Sequence, residues 1–157
     1  MNLLGTNTKL NDQIICYGLA AAGGNGAAGT GAAGSAAPPA AGDGFDAVYR
    51  DVIVANGCTS GQCHSGVAAG KLDLRSQDVA YQNLVGVAAM GTSAGPGNSC
   101  AGRGLTRVVP GDADHSLLVT KLEHTQPCGA PMPAPSVQLP AAQIQRVRAW
   151  ITAGAMP

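Results

Sequence analysis

Cys58-Thr59-Ser60-Gly61-Gln62-Cys63-His64 is the segment on which the interpretation of this chain depends. Its two cysteines enclose four residues, and a histidine directly follows the second cysteine. Gly57 precedes the segment and Gly61 lies inside it, which gives the backbone the conformational freedom that a tight loop needs. Two thiols and an imidazole so close together indicate either a ligand-binding loop or a small disulfide loop.

Three interpretations of this 58–64 motif are open. The signature for covalent attachment of a c-type haem is Cys-x-x-Cys-His, and the adjacent Cys63 and His64 preserve its second half. Cys58 and Cys63 could instead form a disulfide across a small loop. They could also bind zinc with His64, with His115 or His124 as a fourth ligand, although no second Cys/His pair at finger spacing accompanies them.

The composition limits the size of the core and the classes of partner. The chain has 157 residues, enough for one modest domain, but only one Phe and one Trp. A buried porphyrin would supply apolar bulk that these side chains do not. Nine basic and nine acidic residues leave no net charge, which argues against nucleic-acid binding. No apolar run approaches the roughly 18 residues of a membrane span.

The N-terminal part of the chain is predicted to lie outside the folded domain. Residues 1–17 are a candidate targeting or anchor segment, in which Cys16 is a candidate lipid anchor because a flexible tract follows it. Residues 18–42 are rich in Ala, Gly and Pro and are predicted to be a disordered linker. Five cysteines in one small chain favour an oxidising, extracytoplasmic compartment, either periplasm or cell surface.

Residues 43–157 are predicted to form the folded domain, with four helices separated by Gly/Pro-rich loops. The first leads directly into the 58–64 motif, and the second follows Ser76. The third is capped by Asp112 or Asp114, and the last begins at Pro140. The first and last helices each carry an apolar stripe at helical spacing: Phe45, Val48, Tyr49, Val52 and Ile53 in one, and Ile144, Val147, Trp150 and Ile151 in the other.

Met132 is the second candidate ligand-bearing position. It lies between Pro131 and Pro133, which hold the backbone on a rigid, extended path. A thioether held in this way can serve as a soft axial ligand to iron.

This order of parts resembles class I cytochrome c, and more closely the divergent cytochrome c-like proteins of myxobacteria and planctomycetes. The resemblance covers about residues 43–157. It implies a mainly α fold, a cytochrome c-like bundle of three to five helices around a haem, with long Gly/Pro-rich loops. The pieces that carry it, besides the motif, are Leu72-Asp73-Leu74, Val108-Val109-Pro110-Gly111-Asp112 with Ser116-Leu117-Leu118, Cys128-Gly129 with Met132-Pro133, and Trp150-Ile151 with Gly154-Ala155.

The resemblance also implies roles for individual residues. Cys58 and Cys63 would hold one haem c through thioethers, with His64 and Met132 as the axial ligands of its iron. The four-residue spacing departs from the usual two. With those cysteines assigned to haem, Cys100 and Cys128 remain inside the domain and are expected to form a disulfide.

The function implied is that of a small extracytoplasmic monohaem c-type cytochrome. It would carry single electrons between redox partner proteins and would not be an enzyme, because both axial positions of the iron are filled. The alternative is a haem-free, disulfide-stabilised binding or structural module with a cytochrome c-like fold. Its bridges would be Cys58–Cys63 and Cys100–Cys128.

Overall fold

The computed structural model describes residues 44–66, 69–92, 98–134 and 137–157. The predicted anchor segment 1–17, with Cys16, and the predicted linker 18–42 lie outside these residues. Helix α1, Phe45–Val48, continues directly into a π-helical turn, Tyr49–Val54. A short 3₁₀ turn, Ala69–Lys71, then precedes α2, Gln77–Leu84. Helices α3, Leu117–Leu122, and α4, Ala141–Thr152, complete the described part of the chain.

The described residues are mainly helical, as predicted. Their β structure is limited to isolated bridges, such as the parallel bridge between Val85 and Val108. None of the helices in these ranges is long and apolar enough to span a membrane.

The first helical segment buries its apolar stripe but is not a regular α-helix. Its buried side chains are Phe45, Val48, Val52 and Ile53, as the spacing predicts. The last turns are wider, since the N–H of Cys58 donates to the carbonyl of Ile53, five residues earlier, at 3.0 Å. The helical segment ends at Val54, and in the turn that follows, Gly57 has a φ of 68°, in the left-handed region that favours glycine.

An aromatic cluster around Phe45 joins the first and last helices. The Phe45 ring centroid lies 5.0 Å from that of Trp150 in α4 and 5.3 Å from that of Tyr81 in α2. The indole Nε1–H of Trp150 donates to the carbonyl of Met156 at 2.7 Å, so the polar edge of the buried ring is satisfied. Phe45 and Trp150 are 1% and 3% exposed, which places this contact in the centre of the core.

Polar contacts also connect α4 to α3 and to the first helical segment. The Arg148 guanidinium lies 2.7 Å from carboxylate oxygens of both Glu123 and Asp114. Gln143 donates to the carbonyl of Asp51 at 3.0 Å. These groups are partly exposed, so each contact contributes little, and the apolar core supplies most of the stability.

Helix α3 begins later than the sequence predicts, with Ser116 at the N-cap position in place of Asp112 or Asp114. The Asp112 carboxylate closes the preceding turn, accepting the N–H of His115 at 3.1 Å. Ser116 Oγ in turn accepts the N–H of Val109 at 2.8 Å. Ser116 is fully buried, and its hydroxyl links the turn to the preceding extended segment.

We expect Phe45→Ala to lower the free energy of unfolding by about 3–5 kcal/mol, because truncation leaves a cavity between three aromatic rings. Urea unfolding followed by the fluorescence of Trp150 measures this. Val137→Ala, at a side chain that is 66% exposed, is the control and should change stability by less than about 0.5 kcal/mol. A loss below about 1 kcal/mol for Phe45→Ala would contradict a central role for the cluster.

Candidate functional site

The loop of the 58–64 motif is closed by a backbone hydrogen bond. The N–H of His64 donates to the carbonyl of Cys58 at 3.1 Å. Inside the loop, the N–H of Cys63 donates to the carbonyl of Ser60 at 3.0 Å. The four residues between the cysteines therefore form a compact turn, and the backbones of Cys58 and His64 are adjacent despite their separation in sequence.

The motif is fixed to the main core through Leu74. The carbonyl of His64 accepts the N–H of Leu74 at 2.7 Å, and the carbonyl of Leu74 accepts the hydroxyl of Tyr49 at 3.1 Å. Leu74 is 4% exposed and belongs to the main apolar cluster. Two hydrogen bonds on one buried residue thus connect the motif to the first helical segment.

Cys63 and His64 are buried, at 3% and 9% exposure, whereas the intervening Ser60, Gly61 and Gln62 are exposed. Cys63 is disulfide-bonded, but not to Cys58, which has a free thiol. The Cys58–Cys63 bridge of the haem-free alternative is therefore wrong, because the sulfur of Cys63 is in another disulfide and the thiol of Cys58 is free.

The zinc interpretation is not supported. Within the described ranges, no three His, Cys, Asp or Glu side chains come together in a way that could hold a metal ion. Cys63 cannot supply a thiolate while its sulfur is in a disulfide. His115, one of the proposed fourth ligands, is largely exposed, with its Nδ1 2.7 Å from a carboxylate oxygen of Asp112. His124, the other, follows α3, and its buried Nε2 has no hydrogen-bond partner among the described residues.

Cys58 is partly buried and packs against the main core. Burial raises the pKa of its thiol from the ordinary value of 9.0 to about 11. The thiol is therefore protonated, and a poor nucleophile, at neutral pH.

Met132 packs against the same core cluster as Cys58. The N–H of Met132 donates to the carbonyl of Lys121 at 3.0 Å, which attaches the proline-flanked segment to α3. Cys58 and Met132 thus contact the core directly, and His64 is tied to it through Leu74. No pattern in the sequence indicated the contribution of Leu74 or Lys121, because each acts through backbone hydrogen bonds that residue type does not specify.

The predicted disulfide between Cys100 and Cys128 is confirmed, with an S–S distance of 2.01 Å. Both cysteines are buried in a second, smaller apolar cluster with Ala89 and Leu117. The N–H of Gly129 donates to the Oδ1 of Asn98 at 2.8 Å, so the segment after Cys128 is fixed at its start. This crosslink lies four residues before Met132.

Two open surface cavities have volumes of about 180 and 350 Å³. Phe45, Tyr81 and Pro157 line the first, and Leu105, His115 and Pro127 line the second. None of the predicted haem ligands lines either cavity.

Comparison of the chain with protein-family models, with curated proteins and with solved structures finds no match.

We expect the thiol of Cys58 to react with iodoacetamide at pH 8 at least about a hundredfold more slowly in the folded protein than in the urea-denatured protein. The pKa of about 11, against 9.0, accounts for that factor. The stabilising contribution of the buried thiol should be complete below about pH 9 and lost as the pH rises through about 11. Mass spectrometry of quenched samples measures the alkylation rate, and equal rates in the two states would contradict the burial.

We expect replacement of both Cys100 and Cys128 by Ser to lower the free energy of unfolding by about 3–4 kcal/mol, because the crosslink closes a loop with a sequence separation of 28. Urea unfolding gives the difference from the wild type. A loss below about 1 kcal/mol would indicate that the crosslink does not constrain the unfolded chain as expected.

Proposed function

We propose that this protein is a small extracytoplasmic monohaem c-type cytochrome that carries single electrons. The observation that carries the proposal is the closure of the 58–64 motif, in which the N–H of His64 donates to the carbonyl of Cys58 at 3.1 Å. The sequence departs from the usual haem signature in having four residues between the cysteines instead of two. The closure supports the proposal because it brings the backbone of Cys58 beside His64 despite the two additional residues. A thiol-bearing residue and the histidine are thereby neighbours in space.

The donor chemistry of the predicted residues fits a haem c. Cys58 and Cys63 provide two sulfur atoms, and His64 provides an imidazole in a largely buried position. Met132 provides a thioether against the same core. When bound, a haem with these axial ligands supplies one-electron cycling between iron(III) and iron(II), at a potential that the thioether raises.

The chemical state of Cys58 and Cys63 limits when a haem could be attached to them. The sulfur of Cys63 cannot be in a disulfide and in a thioether at once, so the disulfide must be reduced first. The thiol of Cys58 is protonated and packed against the core. The disulfide at Cys63 and the buried thiol of Cys58 both favour attachment of the haem before the chain folds around the motif.

The remaining features support a carrier and not an enzyme. A His/Met pair would leave no open coordination position for a substrate. The absence of net charge argues against strong steering towards one highly charged redox partner. The Cys100–Cys128 disulfide supports an oxidising, extracytoplasmic location.

The second candidate is a haem-free, disulfide-stabilised binding or structural module. The observation that favours it is the disulfide at Cys63, which occupies a sulfur that a haem would need. The aromatic contact of Phe45 and Trp150 is made by protein side chains alone.

We expect the protein, produced in a host with haem-maturation machinery, to show a reduced-minus-oxidised c-type spectrum and to retain haem on a denaturing gel. His64→Ala should contain less than about a tenth of the wild-type haem, because it removes the proximal ligand. Met132→Ala should keep the haem and lower the reduction potential, since the thioether favours the reduced iron. Absorption spectroscopy and redox titration measure these quantities.

His115→Ala is the matched control for His64→Ala, because His115 is an exposed histidine outside the motif. Its haem content and potential should equal those of the wild type. A colourless wild-type protein from this host would contradict the cytochrome proposal and favour the haem-free module.

A further inference from the structure

We propose that Lys121 is a positioning residue that holds Met132 in place from both its side chain and its backbone. Its ammonium donates to the carbonyl of Cys128 at 3.0 Å and to that of Ala130 at 2.9 Å. Its own carbonyl accepts the N–H of Met132 at 3.0 Å. One residue therefore contacts every second residue of the segment that leads to the candidate ligand. The part of this inference that concerns iron rests on the proposed function.

Lys121 lies on a helix that is packed into the core. It lies in the last turn of α3, whose neighbouring side chains Val119 and Leu122 are 0% and 5% exposed. The helix is therefore anchored in the core, and the side chain of Lys121 extends from it across the segment. Hydrogen bonds from a charged donor are stronger than those between neutral groups, so two of them can order a short segment of backbone.

The surroundings of the ammonium favour a geometric role over a purely stabilising one. Its hydrogen bonds are to backbone carbonyls, and none of the ion pairs in the described ranges includes it. Partial burial lowers the pKa of Lys121, which reflects the cost of taking the charge out of water. Such an arrangement is a costly way to gain stability, but it fixes the path of the chain.

The start of the segment after Cys128 has supports besides the ammonium of Lys121, which also donates to the carbonyl of Cys128 there. At the start, the disulfide to Cys100 and the hydrogen bonds from the N–H of Gly129 to Asn98 fix the backbone. At the end, the contacts of Lys121 hold Ala130 and Met132. Loss of the ammonium should therefore release the Met132 end. The Gly129 end loses the hydrogen bond at Cys128 but keeps the disulfide and the contacts with Asn98, so it should stay in place.

The first test uses the full chain without haem and compares Lys121→Met with the wild type by amide hydrogen exchange. The variant keeps the aliphatic stem and removes the donors. We expect exchange at the N–H of Met132 to be about tenfold faster or more, because two charged hydrogen bonds are lost, and exchange at Gly129 to change less than about twofold. Lys71→Met is the matched control, since Lys71 is exposed, and it should leave both amides unchanged.

Oxidation by hydrogen peroxide gives a second readout on the same samples. The sulfur of Met132 should be oxidised several-fold faster in Lys121→Met, with Met90 and Met156, which are 47% and 65% exposed, as internal standards of unchanged rate. Lys121→Arg keeps a charged donor and should restore slow exchange and slow oxidation. Unchanged rates at Met132, or equal acceleration at Gly129 and Met132, would overturn the positioning role.

Haem-loaded protein tests the connection to the iron. Lys121→Met should retain its haem but lose the absorption band of the methionine–iron bond and show a reduction potential shifted towards that of Met132→Ala. An unaltered band and potential would overturn the effect on the ligand. If the wild type binds no haem, the proposed function fails, whereas the exchange and oxidation results still decide whether Lys121 holds the segment.

Discussion

The contact between Phe45 and Trp150 is the interaction on which the rest of the fold depends. The chain has one Phe and one Trp, and both are in this contact, with their ring centroids 5.0 Å apart. It fixes the start of the domain against its last helix, and Tyr81 brings α2 to the same place. Because the chain has few large side chains, these rings supply a large share of the apolar area by which the three helices meet.

The candidate site is built on this core by a small number of backbone hydrogen bonds. The first helical segment delivers Cys58 to the motif, and Leu74 accepts from Tyr49 and donates to His64. On the other side, α3 holds the Met132 segment through Lys121. Backbone contacts of this kind do not depend on side-chain identity, and they hold the motif with its histidine buried.

The sequence predicted the parts of the site that depend on local order. The adjacency of Cys63 and His64, the proline-flanked Met132 and the helix entering the motif can be read from neighbouring residues. The Cys100–Cys128 pair followed from the family resemblance and is confirmed. The bridge between Cys58 and Cys63 and the cap at Asp112 or Asp114 were wrong, because several local geometries were compatible with the same spacing and long-range packing selected among them.

The sequence by itself determined the helical character of the domain, the buried faces of its first and last helices and the chemistry available at the motif. Apolar periodicity and residue type are local properties, and burial of an apolar stripe requires no knowledge of its partner. Only the tertiary structure decided that Cys58 is a protonated thiol against the core, that the motif closes through His64, and that Lys121 reaches the Met132 segment. Burial, pKa and hydrogen bonding between distant residues depend on which surfaces meet in space, and the order of residues along the chain does not specify that directly.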